Sequence, residues 1–430
     1  MKIKNSKALG VTYARERLLQ IAEAGLRAID TERVMAEKIS LRGDKLKIGG
    51  QVFDLEKIKR IFVAGVGKCS LEAARALEEV LGERIETGVV IDLHEGELSK
   101  IKVFSGSHPL PTEDNVNATR ELIKMLGDSK EDDLVIFLVS GGGSTLLCQP
   151  KDHTCAIEAD LIKCLYSGGA TIREINTVRK HISLARGGNL AKYAYPSQVV
   201  SLIFSDVPGD DLSFVASGPT VLDTTTVEDA EQILARYEVL ERCRISENTL
   251  IETPKDSKYF ERVSNIVFVS NKLALEAMAE EAKNLDFVPI IRNLTLQGEA
   301  SRVGGEIVKE LRRVSKNTVL LYGGETTVIF GKSVGKGGRN QELALSSLRF
   351  IQKNEAVLAF ASDGEDNTDM AGAICDRITK EKAEEKGLDP KDYLKRHDSY
   401  NFFASLNEQV FTGPTGSNVS DLIIALKSNG

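Results

Sequence analysis

The 430-residue chain lacks any apolar run long enough to cross a membrane; its longest, such as Val199–Phe204, are of strand length against the roughly 20 residues a spanning helix needs. Its six cysteines are scattered, with no CxxC pair and only five histidines in the chain. That pattern argues against a zinc site and a disulfide framework and predicts reduced thiols. Positive charge is not in excess: 56 Lys and Arg stand against 63 Asp and Glu, a net charge of −7. That argues against a general nucleic-acid binder, which would need a basic face, but not against a local phosphate site, for which a few cations and backbone amides suffice. Lys2 and Lys4 lead into polar residues rather than the apolar core of a signal peptide, so a cytoplasmic protein without membrane or nucleic-acid partners is expected. No repeat of fixed period and no low-complexity tract is present.

What the chain has is the balance of a packed protein, 42 % apolar and 28 % charged residues, and enough length for two domains. Short β-branched runs alternate with longer amphipathic stretches, the pattern of βαβ units and a largely parallel sheet. Strands are predicted at 60–64, 87–91, 102–104, 134–139, 198–204, 265–269, 288–291, 318–322, 327–330, 356–361 and 422–426. Helices are predicted at 13–28, 70–81, 113–126, 271–284, 300–314 and 340–351, with Thr112 as an N-cap. The polar stretch 246–262 interrupts this alternation, which restarts at Val263. Two domains are therefore expected, residues 1–262 and residues 263–430.

Glycines recur where strands end and helices begin. In IFVAGVGKCS, Gly65 and Gly67 permit a sharp turn, and Lys68 falls at a helix start, where the macrodipole disfavours a cation unless an anion lies between them. The motif is neither a Walker A loop nor a full GxGxxG, and a tight turn with a solvated lysine explains it equally well. In LVIFLVSGGGSTLL, Gly141, Gly142 and Gly143 leave amides uncovered between Ser140 and Ser144, an anion cradle that a structural turn would rarely need. In SLIFSDVPGDDLSFVASGPT, Asp206 ends an apolar strand, where ligands of open α/β sheets bind, and Ser217 and Gly218 form a second small-residue turn. Asp206 could take a hydroxyl proton or hold magnesium; Asp210 and Asp211 could equally cap turns.

The second half repeats the theme. LYGGETTVIFGKSVGKGGRNQELAL carries Glu325, Arg339 and Asn340, and Arg339, like Lys68, opens a helix as a cation in want of an anion. FASDGEDNTDMAGA presents Asp363 and Asp366 without the EF-hand order, so a loose magnesium site and a set of polar turns both fit. His108, between Pro109 and the strand 102–104, is the most site-like histidine. Of Arg179 and Lys180, adjacent on a predicted helix, one is expected to reach a site and the other to be solvated.

Together SHPLPTED, LVSGGGSTLL, INTVRKHIS, SDVPGDDLSFVASGPT, YGGETTV, GKGGRNQELAL, SDGEDNTDMAGA and TGPTGSNVSD closely resemble the glycerate 2-kinases with a MOFRL C-terminal domain, in the same order and from about Tyr13 to Leu426. The resemblance implies a Rossmann-like N-terminal domain, a smaller α/β C-terminal domain and an active-site cleft between them. It implies ATP, a divalent cation such as Mg2+, and D-glycerate as the acceptor, with Lys68, Asp206 and Arg339 as catalytic residues. Substrate or nucleotide would bind at Gly65, Gly67, Ser140, Gly141, Gly142, Gly143, Ser144, His108, Arg179, Ser217, Gly218, Glu325 and Asn340, and a metal at Asp206 and Asp363. Ser362 before Asp363 and Asn367 after Asp366 depart from the family's usual threonine and glycine there. Two other readings are a nicotinamide-dependent hydroxypyruvate reductase, for which Asp92 is the one candidate ribose-binding acid, and a non-catalytic sugar-acid sensor. Oligomeric state is left open, a homodimer included.

Overall fold

In the computed structural model, which describes residues 1–243, 250–329 and 335–429, the β-branched runs form strands of two separate sheets. The chain divides into two compact units, Val34–Ser205 with Asp210–Phe268, and Met1–Arg33 with Asp206–Gly209 and Val269–Gly430. We call them the parallel-sheet unit and the mixed-sheet unit.

The parallel-sheet unit begins with a small antiparallel sheet of β1 (Ile39–Arg42), β2 (Lys45–Ile48) and β3 (Gln51–Asp54), in register at Ile39 with Ile48 and Leu46 with Phe53. It was not expected, because strands of four residues carry little periodic signal. Then come β4 (Ile61–Val66), β5 (Ile85–Asp92), β6 (Ile101–Ser105), β7 (Leu134–Ser140), β8 (Gln198–Phe204) and β9 (Val263–Val269). They form a six-stranded sheet in the order β6-β5-β4-β7-β8-β9, parallel from β6 through β8. Every residue of β4 and β7 is buried, as expected of central strands covered on both faces. The chain fills one side of the sheet outward from β4 and the other outward from β7. The strand order therefore reverses between these two, the place where doubly wound sheets hold ligands.

The mixed-sheet unit contains β10 (Val288–Leu296), β11 (Thr318–Gly324), β12 (Glu355–Ala361), β13 (Gly372–Asp376), β14 (Gln409–Val410) and β15 (Asp421–Lys427), in the order β10-β11-β15-β12-β13-β14. Only β10 and β11 are parallel; the other pairs are antiparallel. The expectation of a largely parallel sheet thus holds in one unit only. The strand expected at 327–330 is not formed: Thr327 makes an isolated bridge to Glu299, and Phe330 lies outside the described residues. Val303, Ile307 and Leu311 of helix Ala300–Arg312 pack with Leu320, Val357 and Ile423 in the core.

The N-terminal helix Tyr13–Ala28 belongs to this second unit, so the chain divides differently from the 1–262 and 263–430 scheme at its start. Its Gly25 lies against Met278 of helix Asn271–Asn284, where a Cβ would come within 2.3 Å of the methionine Cε. Its Arg15, buried, donates to both carboxylate oxygens of Asp376 at 2.7 and 2.8 Å and pairs with Glu408 at 2.6 Å. Such long-range partners leave no local trace in sequence. Nor did cysteine spacing reveal that Cys164 and Cys243 form a disulfide, joining helix Cys155–Gly168 to the chain 79 residues on; this corrects the expectation of reduced thiols throughout. Among the described residues no helix is long and apolar enough to cross a membrane.

Candidate functional site

The loops after β4 and β7 meet at the reversal point of the parallel sheet. Gly67, at φ +120°, sits so close to Ser140 that a Cβ would fall 2.1 Å from its Oγ, which only glycine allows. The Lys68 amide donates to the Gly141 carbonyl at 3.0 Å, and the Cys69 amide to Ser140 Oγ at 3.3 Å. Gly142, at φ +81°, opens a single helical turn, Gly143–Leu146. A Cβ at Gly142 would lie 3.2 Å from Lys68 Cγ and 3.7 Å from His108 Cδ2, so the lysine stem and the histidine ring flank the glycine loop. Ser144 and Ser217 share a 2.9 Å hydroxyl contact, bringing the Ser217–Gly218 turn to the same place. There Ala216, Ser217 and Gly218 all have left-handed φ values of 50–59°. Two non-glycine residues held so is strain of the sort found at ligand sites, and nothing in the sequence announced it.

Gly65 is different. It lies inside β4, where a Cβ would come within 2.6 Å of Val90 on the neighbouring strand, so its role is close strand packing rather than the turn expected of it. Asn115, which sequence reasoning passed over, fixes the His108 loop. Fully buried, it accepts from the Ser107 and Thr112 amides at 2.9 and 3.2 Å and donates to the Ser107 and Thr145 carbonyls at 3.0 and 3.2 Å.

Electrostatically the cluster is one-sided. His108 is held below its usual pKa by burial and by the nearby charges of Lys68 and Arg179. Burial, then the charge of Arg186, pulls Arg179 down as well. Among the described residues neither Lys68 nor Arg179 has a carboxylate within ion-pair distance. Glu158, the acid whose charge acts on Arg179, is taken by buried Arg186 at 2.6 Å. Arg179 stands in the last turn of helix Ile172–His181, whose dipole offsets a cation by only about 0.3–1 kcal/mol. Two part-buried cations, Lys68 and Arg179, with an uncharged His108 beside them, therefore suit an anion. Lys180, by contrast, is buried and bonded to Asp223 at 3.1 Å; it is neither solvated nor site-directed, because a buried acid had to be paired.

The acid at the start of helix Ser70–Leu81 is Asp92. Buried at the end of β5, it accepts from the Leu71 amide at 3.0 Å, the Ser70 hydroxyl at 3.3 Å, and the Leu93 and His94 amides at 2.7 and 3.1 Å. Its oxygens are thus consumed by the protein, leaving none for a ribose.

In the mixed-sheet unit, Arg339 does open helix Arg339–Leu348, but its anions are protein carboxylates. Nε and Nη2 donate to Asp421 at 2.6 and 3.1 Å, and Nη1 pairs with half-exposed Glu325 at 2.6 Å. Asp366 accepts from the Asn340 and Gln341 amides at 3.1 and 2.9 Å and serves as the helix N-terminal anion. Asn340, wholly buried, donates Nδ2 to both Asp366 and Asp421, which makes it a pin between two carboxylates. This corrects the inference that Arg339 requires an external anion: a distant chain segment supplies one.

Burial lifts Asp421 to about 7 despite Arg339, with Asp366 adding repulsion. A carboxyl raised in the folded state binds a proton that the unfolded chain has released. It therefore lowers stability progressively as pH rises from about 4 to about 7, with no further change above. In Asp421→Asn that component is absent. We expect the denaturant midpoint of this variant to fall less than the wild type's, or to rise more, between pH 4.5 and pH 7.5; parallel changes in the two would refute the assignment.

Asp206 follows β8 closely, and its carbonyl accepts the Ser420 hydroxyl at 2.5 Å. Asp363 Oδ1 accepts the Glu365 amide at 3.1 Å, closing its own turn, as Asp211 does with Ser213. Among the described residues no group of three or more His, Cys, Asp and Glu gathers to hold a metal.

Comparison with known proteins converges. Residues 17–251 match a domain of unknown function, DUF4147, and residues 318–421 match the MOFRL family. A glycerate 2-kinase of Pyrococcus horikoshii is 39 % identical over 96 % of this chain and 97 % of its own length. The solved structure of glycerate kinase from Thermotoga maritima, 33 % identical, superposes with a TM-score of 0.83 over 96 % of this chain and 99 % of that one. A relative from Agrobacterium vitis, 38 % identical over 84 % of this chain and 98 % of its own length, carries a provisional hydroxypyruvate reductase name. With such identity over nearly its whole length, the chain belongs to the glycerate 2-kinase family.

Proposed function

We propose that this protein transfers the γ-phosphate of ATP to the 2-hydroxyl of D-glycerate, giving 2-phosphoglycerate and ADP. The observation that carries the reading is Lys68 and His108 beside the Gly141–Gly143 loop, with no carboxylate in ion-pair distance of Lys68 among the described residues. Phosphoryl transfer needs positioning and charge neutralisation more than covalent chemistry, and those are what cations and free amides supply.

The hydroxyl oxygen attacks phosphorus in line, the bond from phosphorus to the ADP oxygen breaks, and the hydroxyl proton leaves to a base. Lys68 offsets charge on the transferred phosphoryl group, while the glycine-loop amides and the Ser144 hydroxyl donate to phosphate oxygens. Asp206, at the carboxyl end of β8, is assigned the proton. Arg339 is assigned a second phosphate contact, made by exchanging half-exposed Glu325 for the anion while Asp421 keeps hold of its other edge. A divalent cation, when bound with ATP, would neutralise phosphate charge, and Asp206 is the carboxylate assigned to it.

Hydride transfer from a nicotinamide is disfavoured by Asp92, whose oxygens are committed to backbone amides and Ser70. The test is an assay with ATP, Mg2+ and D-glycerate coupled to enolase, which accepts 2-phosphoglycerate only. Enolase product should appear at the rate of ADP release. ADP without enolase product would move the phosphate to another hydroxyl, and NADH oxidation by hydroxypyruvate without ADP formation would replace the kinase by the reductase.

A further inference from the structure

Two consecutive residues at the entrance to β15 hold two of the residues assigned to the reaction. Asp421 holds Arg339 through both carboxylate oxygens and takes the Asn340 side-chain amide as well. Ser420, just before it, donates its hydroxyl to the Asp206 carbonyl. All of them belong to the mixed-sheet unit, Asp206 through its short segment Asp206–Gly209.

Ser420 reaches Asp206 from a backbone conformation that serine disfavours. Its φ is +70°, in the left-handed region, where a Cβ crowds the following carbonyl and glycine is the usual occupant. The chain around it fixes that conformation. The Ser420 amide donates to Asn418 Oδ1 at 3.1 Å, and its carbonyl accepts the Ser362 amide at 3.2 Å. The Val419 amide donates to Ser362 Oγ at 2.8 Å, and Ser362 and Ser420 are both buried. A turn that needed only this backbone would be made with less strain by glycine. A serine there, its hydroxyl spent on Asp206, is strain kept for what the side chain does.

We infer that Ser420 is a positioning residue for phosphoryl transfer: its hydroxyl fixes the Asp206 peptide, and Asp421 beside it fixes Arg339, so one corner of the chain sets both. This rests on the kinase reading above and extends it, since that reading uses Asp206 without saying what places it. A reacting group about 1 Å out of place can cost about 10²-fold in rate, so the loss of this tether should show in kcat.

The experiment uses the full chain with Ser420→Ala, Ser420→Gly and Ser420→Thr. Alanine and glycine remove the hydroxyl, and kcat should fall about 10-fold or more in each, with the KM values for ATP and D-glycerate changed less than about threefold. Threonine keeps the hydroxyl and should recover most of the rate. Stability should follow a different order. Ser420→Gly should melt above Ser420→Ala, because glycine accepts the left-handed φ, and Ser420→Thr should melt below wild type, because a β-branched residue does not. Activity losses that track melting temperature across the three variants would make Ser420 purely structural and overturn the inference. So would wild-type kcat in Ser420→Ala, or a KM effect without a kcat effect. In an Asp206→Asn background Ser420→Ala should lower kcat no further; a full independent loss would mean that the hydroxyl acts elsewhere, and would also overturn it. Deuterium exchange reads the tether without turnover: the Asp206, Val207 and Gly209 amides should exchange faster in Ser420→Ala than in wild type or Ser420→Thr. Failure of the wild type to release ADP would overturn the kinase reading alone, because exchange still decides whether Ser420 holds Asp206, and equal exchange in wild type and Ser420→Ala would overturn that.

Discussion

Replacing Lys68 by methionine should lower kcat for phosphoryl transfer by about 10²–10³-fold while leaving the melting temperature nearly unchanged. The two halves of that expectation have separate causes. The ammonium stabilises charge on the group in flight, and a methionine keeps the stem that packs over Gly142 but supplies no charge. The fold loses nothing, because the Lys68 ammonium has no ion-pair partner among the described residues and its backbone bond to Gly141 remains. Steady-state kinetics beside a thermal melt would check both. A variant that melts many degrees lower and loses activity in proportion would make Lys68 a structural residue instead.

The second large effect is on stability. Arg15→Met should cost about 3–5 kcal/mol, measured by denaturant unfolding, because it leaves the buried carboxylate of Asp376 without its cation and Glu408 with Lys382 alone. Arg15→Lys should recover little, since one ammonium cannot replace the two parallel bonds to Asp376. The loss should deepen with rising pH across the carboxylate range, where the stranded acid must ionise. A change below about 1 kcal/mol would mean that the N-terminal helix is held by its apolar face, Leu18, Ile21, Ala22 and Leu26, and not by this ion network.

The sequence made the central strands and the longer helices legible for local reasons. Gln198–Phe204 is a continuous apolar run between turn residues, and Tyr13–Ala28, Ser70–Leu81 and Asn271–Asn284 repeat their apolar residues at helical spacing, so their limits could be read directly. The glycine loops after β4 and β7 were legible as well, since only glycine tolerates the positive φ of positions 67 and 142. What could not be read depends on partners far along the chain. Arg339 looked like a cation awaiting phosphate until Asp421, 82 residues away, was seen to hold it. Asp92 resembled a ribose-binding acid until it proved to cap the helix that starts at Ser70. Lys180 and Arg179 are neighbours of the same charge type, and only the position of Asp223 tells the paired one from the unpaired one. The left-handed turn at Ala216 and Ser217 involves residues with no preference for it, so it too was silent.

The most direct test of the account is to incubate the wild-type protein with ATP, Mg2+ and D-glycerate and identify the phosphorylated product by 31P NMR. The account predicts ADP and 2-phosphoglycerate in equal amounts from the wild type, and at most a trace of either from Lys68→Met in the same interval. Phosphate appearing on the 3-hydroxyl, or no transfer to glycerate at all by a folded wild-type protein, would contradict it.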